Sequence, residues 1–203
     1  MAVIDHLVLA VPDLDSAIDQ FERDHRVRPA AGGRHEGLGT HNALVSFGSS
    51  YLELIAPDPS QPEPDGPRPF GVDEIDGPRL VTFAVRPDPA AGESLDSLID
   101  ASRDAGHDPG GAVPMSRRTP QGKLLRWRLT VPTMAHDGLV PVLIDWGDTP
   151  NPASSAPGGL SLRMLSGGTA APESTNATLR ALALPEFAEP LESRSPGLRA
   201  EYH

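Results

Sequence analysis

The sequence contains no cysteine, and aromatic residues make up only 4% of its 203 residues. The missing cysteines exclude structural disulfides, thiolate metal sites and a cysteine nucleophile. No apolar run approaches the roughly 20 residues that span a bilayer. The first residues also lack the basic start and the cleavage pattern of a signal peptide. We therefore expect a cytoplasmic protein without a membrane partner and with a mainly aliphatic core.

Basic residues are outnumbered by acidic ones, 17 against 28, and the net charge is −11. So acidic a chain repels nucleic-acid phosphates, and we expect no nucleic-acid partner. Proline and glycine are abundant, at 23 and 20 residues. Their number favours short strands and helices separated by many turns.

The first part of the chain predicts a strand, a helix and further strands. Residues 3–11 are aliphatic and β-branched and end at a proline, as a strand does. Asp13 or Asp15 can cap the amphipathic helix that follows. Strands are predicted at 42–47 and 51–55, joined by a short hairpin-type connection.

The same pattern restarts later in the chain. Residues 80–85 resemble the first strand, and an amphipathic helix is predicted at 94–106. Strands follow at 124–131 and 140–146. This internal repeat of roughly 75 residues indicates one pseudo-symmetric unit, because each half alone leaves a sheet face uncovered.

The predicted fold is α+β, with two βαβββ modules that form a cupped, barrel-like mixed sheet. A proline-rich linker separates the modules, and a short strand-helix extension follows the second. The predicted boundaries are 1–58 for the first module, 59–78 for the linker, 79–149 for the second module and 150–203 for the C-terminal extension.

His6 and Glu53 lie in the middle of two apolar strands. A buried carboxylate is costly unless it is paired or bound to a cation. Imidazole and carboxylate on one concave face suit a divalent ion, Zn, Mn, Fe, Co, Ni or Mg, with open positions for substrate oxygens. The alternative is a hydrogen-bonded core histidine and a glutamate that faces water.

Two further segments carry polar groups suited to a ligand. No acidic residue lies between Asp108 and Asp137, yet five basic residues do. Arg117 and Arg118 are predicted to lie in a loop, where their guanidinium groups suit a small anionic molecule. The alternative is that these basic residues pair with surface acids.

The glycine-rich segment 30–41 is the other such segment, and we interpret it as a loop over the mouth of the cup. In that loop His35 or His41 is a candidate catalytic acid or base. The alternative is a surface loop whose histidines face water.

Residues 4–15 (IDHLVLAVPDLD) and 51–57 (YLELIAP) resemble the first module of the vicinal oxygen chelate superfamily. Residues 32–42 (GGRHEGLGTHN) and 140–147 (VPVLIDWG) resemble its glyoxalase-like domain proteins. The resemblance covers about residues 3–165. It implies a metal-dependent lyase or isomerase that acts on a small oxo- or hydroxy-acid.

The resemblance also implies roles for single residues. The metal ligand of the first strand falls on His6 and that of the fourth strand on Glu53, which is also a candidate catalytic residue. Asp145 is the candidate third ligand, and Asn42 and Trp146 are candidate substrate contacts. At the fourth ligand position stands Leu80, which cannot bind a metal, and the only substitute on that face is the weak donor of Thr82.

This departure from the family pattern keeps a second function open. On the same scaffold, a metal-free protein would bind or sequester a small molecule, and Leu80 favours that alternative. Because both modules belong to one chain, a monomer can complete its own cup, and a homodimer stays an alternative.

Overall fold

The computed structural model describes residues 2–131, 135–184, 187, 191–192 and 196–203. The first module contains β1 (Val3–Ala10), α1 (Leu14–His25), β2 (Ala30–His35), β3 (Thr40–Ser46) and β4 (Tyr51–Pro57). The second module contains β5 (Arg79–Arg86), α2 (Leu95–Asp104), β6 (Ala112–Arg118), β7 (Leu124–Thr130) and β8 (Val142–Asp145). Both halves thus have the predicted β-α-β-β-β order.

The eight strands form a closed barrel in the order β1-β4-β3-β2-β6-β7-β8-β5. The modules meet where β1 pairs antiparallel with β5 and where β2 pairs with β6. Within each module the first strand lies parallel to the fourth, β1 beside β4 and β5 beside β8. The prediction of an α+β fold with two modules and a barrel-like mixed sheet is confirmed.

Strand β2 lies where the sequence predicted a loop, and Arg117 and Arg118, also predicted in a loop, are the last two residues of β6. In β2, a Cβ on Gly32 would meet the Asn42 side chain, and one on Gly33 would meet the Arg118 carbonyl, so this strand needs its glycines. In β6, Pro114 lacks an amide hydrogen. The loss is tolerated because β6 pairs with β2 only near its other end, at Arg118.

The helices pack their apolar faces on the outside of the barrel. Asp13 caps α1 by accepting a hydrogen bond from the Ser16 amide, and a capping box of Ser94 and Ser97 starts α2. Inward-facing residues of both helices join the main core cluster together with outward-facing barrel residues such as Leu7. Packing of this cluster holds the barrel between the two helices and the C-terminal extension.

The C-terminal extension adds β9 (Leu162–Thr169), α3 (Pro172–Ala181), β10 (Leu191–Glu192) and β11 (Gly197–Tyr202). The predicted strand and helix of this region correspond to β9 and α3, while β11 falls in the predicted polar tail. The three strands form a separate sheet in the order β10-β9-β11. Leu165 and Leu198 of this sheet belong to the main core cluster.

The proline-rich segment folds against the barrel as a short 3-10 helix, Pro69–Glu74. Its Val72 is buried with Val8 and Val81 of the barrel. Arg68 anchors the segment by donating a hydrogen bond to the Gly39 carbonyl at 2.9 Å. None of the described helices is long and apolar enough to cross a membrane.

Candidate functional site

A cavity of about 260 Å³ lies inside the barrel, and residues of all eight strands line it. Because side chains alternate along a strand, every second residue of each strand points into it. Pro69 and Phe70 of the proline-rich segment and Leu38 of the β2–β3 turn complete the wall. Most of the lining is apolar, with a small group of polar side chains on one part of the wall.

The central pair of that polar group is His6 and Glu53, which lie on the adjacent parallel strands β1 and β4. His6 Nε2 is 3.5 Å from Glu53 Oε2, and both side chains are buried. The His6 ring stacks on Tyr51, with the ring centroids 4.7 Å apart. The structure therefore brings the predicted pair together in one hollow.

Asp5 holds the other side of His6, and its role was missed in the sequence. A β-bulge between Ile4 and His6 lets adjacent residues meet, and Asp5 Oδ1 is 2.7 Å from His6 Nδ1. Asp5 is fully buried and also accepts hydrogen bonds from Trp146 Nε1 at 3.1 Å and Asn151 Nδ2 at 2.6 Å. The signal was present, since a carboxylate in an apolar strand needs partners.

His35 and Asn42 surround the second oxygen of Glu53. Asn42 Nδ2 donates to Glu53 Oε1 at 2.6 Å, and His35 Nε2 lies 3.7 Å from the same oxygen. Burial lowers the pKa of His35, and the charge of Arg117 lowers it further against the opposing effect of Glu53. These contacts favour the neutral form of the His35 ring.

Arg117 is a buried cation that lines the same cavity, with 4% of its surface exposed. Its guanidinium donates to the Gly32 carbonyl. No carboxylate among the described residues lies within ion-pair distance of it. A buried charge without a counter-ion is costly, so the Arg117 site favours an anion.

Four other residues named from the sequence do not line the cavity. His41 and Arg118 alternate with Asn42 and Arg117 and point to the outer face of the barrel. Asp145 also lies outside, between the inward-facing Ile144 and Trp146, and accepts a hydrogen bond from the Gly147 amide.

Leu80 is the fourth, and a bulge accounts for its position. Val81 is an extra residue of β5 opposite β1, so Leu80 faces the core beneath the helices, while Thr82 lines the cavity. Regular alternation along this strand predicts Leu80 and Thr82 on one face. That interpretation is wrong, because the bulge reverses the alternation between them.

A closed barrel of two βαβββ modules is consistent with the fold of the vicinal oxygen chelate superfamily. The family model of the glyoxalase-like domain matches residues 4–183. The chain therefore belongs to the glyoxalase-like domain family. Among curated proteins, no sequence gives a significant match.

Several solved structures are similar to this chain at low sequence identity. A hypothetical protein from Staphylococcus aureus has a TM-score of 0.70 and 12% identity over 97% of this chain and 88% of that one. A mutant of 4-hydroxymandelate synthase from Streptomyces coelicolor has a TM-score of 0.50 and 16% identity over 89% of this chain and 51% of that one. Methylmalonyl-CoA epimerase from Mycobacterium tuberculosis has a TM-score of 0.44 and 21% identity over 75% of this chain and 91% of that one.

The superfamily implies a divalent metal, and the donors in this chain do not fit one. Asp145 and Leu80 lie outside the cavity, so two of the four ligand positions are lost. His35 adds an imidazole, but the described residues hold no group of three histidine or carboxylate side chains with the arrangement of a metal site. The positive charge of Arg117 on the same wall also disfavours a second cation.

Proposed function

We propose that the protein is an enzyme that moves a proton at the carbon next to a carbonyl group of a small acid, as a lyase or an isomerase. Glu53 is the proposed catalytic acid–base group. The observation that supports this proposal is the position of its carboxylate, between the imidazoles of His6 and His35 inside a mostly apolar cavity.

The two oxygens of Glu53 have different tasks in this proposal. Oε1 accepts the hydrogen bond of Asn42, which fixes the plane of the carboxylate. Oε2 accepts no hydrogen bond from the described residues and faces His6 Nε2. A proton taken from the substrate carbon therefore goes to Oε2, within reach of the imidazole.

Asp5 determines which nitrogen of His6 takes part. Because Asp5 accepts the Nδ1 proton, the lone pair of the neutral ring is on Nε2, directed at Glu53. A proton can then rest on either atom before it returns to another carbon of an isomerase substrate or to the leaving group of a lyase substrate.

Arg117 supplies the positive charge that the substrate needs. No carboxylate of the described residues pairs with its guanidinium, so it is available to bind the acid group or the oxygen that becomes negative when the proton leaves. The apolar wall excludes water, which strengthens this attraction. No step of the proposed reaction needs a metal ion.

Hydrogen–deuterium exchange tests the proposal directly. Small oxo- and hydroxy-acids are incubated with the protein in D₂O, and deuterium at the carbon next to the carbonyl is followed by NMR. We expect exchange with the wild type and its loss in Glu53→Gln. Glu36→Gln is the matched control, because Glu36 is exposed in the β2–β3 turn.

Metal content is measured in the same preparations. Exchange that disappears when a stoichiometric metal is removed would show that the metal-free mechanism is wrong. Binding of acids without any exchange would also contradict the proposal, and it would support the sequestering protein that the apolar lining favours.

A further inference from the structure

Both tryptophans of this chain lie at the cavity. The whole sequence has two tryptophans, two tyrosines and five phenylalanines. Four of these side chains face the cavity, and they include both tryptophans: Tyr51, Phe70, Trp127 and Trp146. Because these are the only two tryptophans of the sequence, their shared position at the cavity indicates a surface that suits a ring.

The two tryptophans form a continuous wall next to Arg117. Their ring centroids are 5.2 Å apart and their planes are inclined by 42°. Trp127 lies directly opposite Met115 in the β6–β7 ladder, which makes Arg117 its diagonal neighbour on the same face. Such neighbours are about 7–8 Å apart, a separation that one small molecule can bridge.

The second tryptophan is oriented by its polar atom. Trp146 Nε1 donates to Asp5, so the indole is fixed in the wall. Its buried N–H therefore needs no partner from a ligand, and what Trp146 offers a ligand is apolar aromatic surface.

We propose that the ligand of this cavity is a small planar aromatic carboxylate. Its ring packs against Trp127 and Trp146, and its carboxylate binds the Arg117 guanidinium. This inference rests on the proposed function, whose substrate class it specifies. The volume of about 260 Å³ lies below the usual range for drug-sized ligands, so the ligand has one ring or two fused rings.

The charges around the wall decide between two kinds of aromatic ligand. Aromatic surfaces also bind quaternary ammonium ions by cation–π attraction. Here Arg117 lies on the same lining with no carboxylate of the described residues within ion-pair distance, so a ligand cation would meet its repulsion. The Glu53 carboxylate of this lining accepts a hydrogen bond from Asn42 and is flanked by two imidazoles. An aromatic ligand with a negative charge can pack on the two tryptophans and bind the Arg117 guanidinium at the same time.

Intrinsic fluorescence measures binding at this site alone, because both tryptophans of the chain line the cavity. The probes are phenylacetate, its saturated match cyclohexylacetate, its uncharged match phenylacetamide, and phenyltrimethylammonium. We expect phenylacetate to bind about tenfold more tightly than either match. Equal binding of cyclohexylacetate, or tighter binding of the ammonium compound, would overturn the proposal.

Two neighbouring arginines provide a matched pair of variants. Arg117→Met is expected to weaken phenylacetate binding by about tenfold or more and to leave phenylacetamide binding unchanged. Arg118→Met, which removes an exposed cation from the outer face, is expected to leave both unchanged. An equal loss in both variants would overturn the assignment of Arg117.

A third variant keeps the test valid if Arg117→Met does not fold. Arg117→Lys retains the charge and loses the planar fork, so it is expected to bind phenylacetate with intermediate affinity. Affinity for phenylacetate equal to that for phenylacetamide in this folded variant would contradict the proposal.

Failure of the ligand class and failure of the reaction give different results. Aromatic acids that bind but exchange no hydrogen would leave the ligand class in place and contradict the proposed reaction. Aliphatic oxo-acids that exchange hydrogen, together with aromatic acids that do not bind, would overturn the ligand class and support the reaction.

Discussion

Asp5 and His6 are adjacent in β1, yet their side chains are joined by a contact of 2.7 Å between Oδ1 and Nδ1. Neighbours in a regular strand point to opposite faces of the sheet. The bulge opposite β5 removes that restriction at Asp5. The sequence of β1 thus supplies both the imidazole that faces Glu53 and the carboxylate that fixes its orientation.

Asp5→Asn tests this relationship. Asparagine cannot serve as the charged acceptor for His6, Trp146 and Asn151, and the His6 ring loses its fixed orientation. We expect the exchange rate to fall by up to about 10⁴-fold and the free energy of unfolding by about 1–3 kcal/mol. The pH dependence of the exchange rate is also expected to change, which a purely structural role would not produce.

Asp65→Asn is the control for that substitution, because Asp65 is exposed in the proline-rich segment. It is expected to change neither the exchange rate nor the unfolding. If Asp5→Asn lowers stability but leaves the rate and its pH profile intact, Asp5 does not act on His6.

Residue spacing predicted much of this architecture, but it gave only part of the candidate site. The strong period-two and period-3.6 patterns predicted β1, β4 and both helices of the modules. By contrast, β2 and β6 carry Gly32, Gly33 and Pro114, which are typical of loops. The two glycines are required by close approaches across the barrel that no single sequence shows.

Alternation of side chains along a strand determines only part of the candidate site. Two pairs of sequence neighbours are among the predicted site residues, Arg117 with Arg118 and Asp145 with Trp146. Only one member of each pair lines the cavity. Alternation makes this outcome necessary in a regular strand, but deciding which member faces inward needs the register of the neighbouring strands.

Gly32→Ala is expected to disturb Glu53 through Asn42. An added Cβ would lie 2.3 Å from Asn42 Oδ1, so the amide that holds the carboxylate must move. We expect a loss of about 1–3 kcal/mol in the free energy of unfolding, measured in urea. Gly66→Ala is the control, since a Cβ there meets no atom within 4 Å.

A double-mutant cycle shows whether the loss comes from that contact. In an Asn42→Ala background the side chain that obstructs the new methyl group is gone, and Gly32→Ala is expected to cost less. An equal cost in both backgrounds would show that the strain lies elsewhere in β2.

His35 is expected to make stability depend on pH in the weakly acidic range. Burial holds the pKa of His35 below its usual 6.5, so the folded ring stays neutral where the unfolded one takes up a proton. Above pH 6.5 both rings are neutral and His35 adds no pH dependence to the free energy of unfolding. Below that value the unfolded ring takes up a proton first, so the free energy of unfolding falls as the pH drops. The slope from one group is at most about 1.4 kcal/mol per pH unit.

Urea unfolding of His35→Gln and of the wild type, followed from about pH 8 to about pH 5, measures this contribution. The difference in unfolding free energy from the wild type is expected to shift in favour of the variant as the pH falls. His203→Gln, which removes an exposed terminal histidine, should show no such trend. A constant difference for His35→Gln would mean that the folded and unfolded rings titrate alike.

Asp58 anchors the start of the proline-rich segment that closes the cavity, and it should matter at lower pH. Burial raises the pKa of Asp58, but hydrogen bonds from Ser60 and Gln61 outweigh burial and bring it to about 2. Because the folded pKa lies below the unfolded 3.8, this stabilisation of about 2 kcal/mol is complete above pH 3.8 and is lost as the pH falls towards 2. Asp58→Asn should therefore be less stable than the wild type at neutral pH, and urea unfolding should show the difference shrinking below pH 3.8. A difference that stays the same across that range would show that the Asp58 charge does not hold the segment.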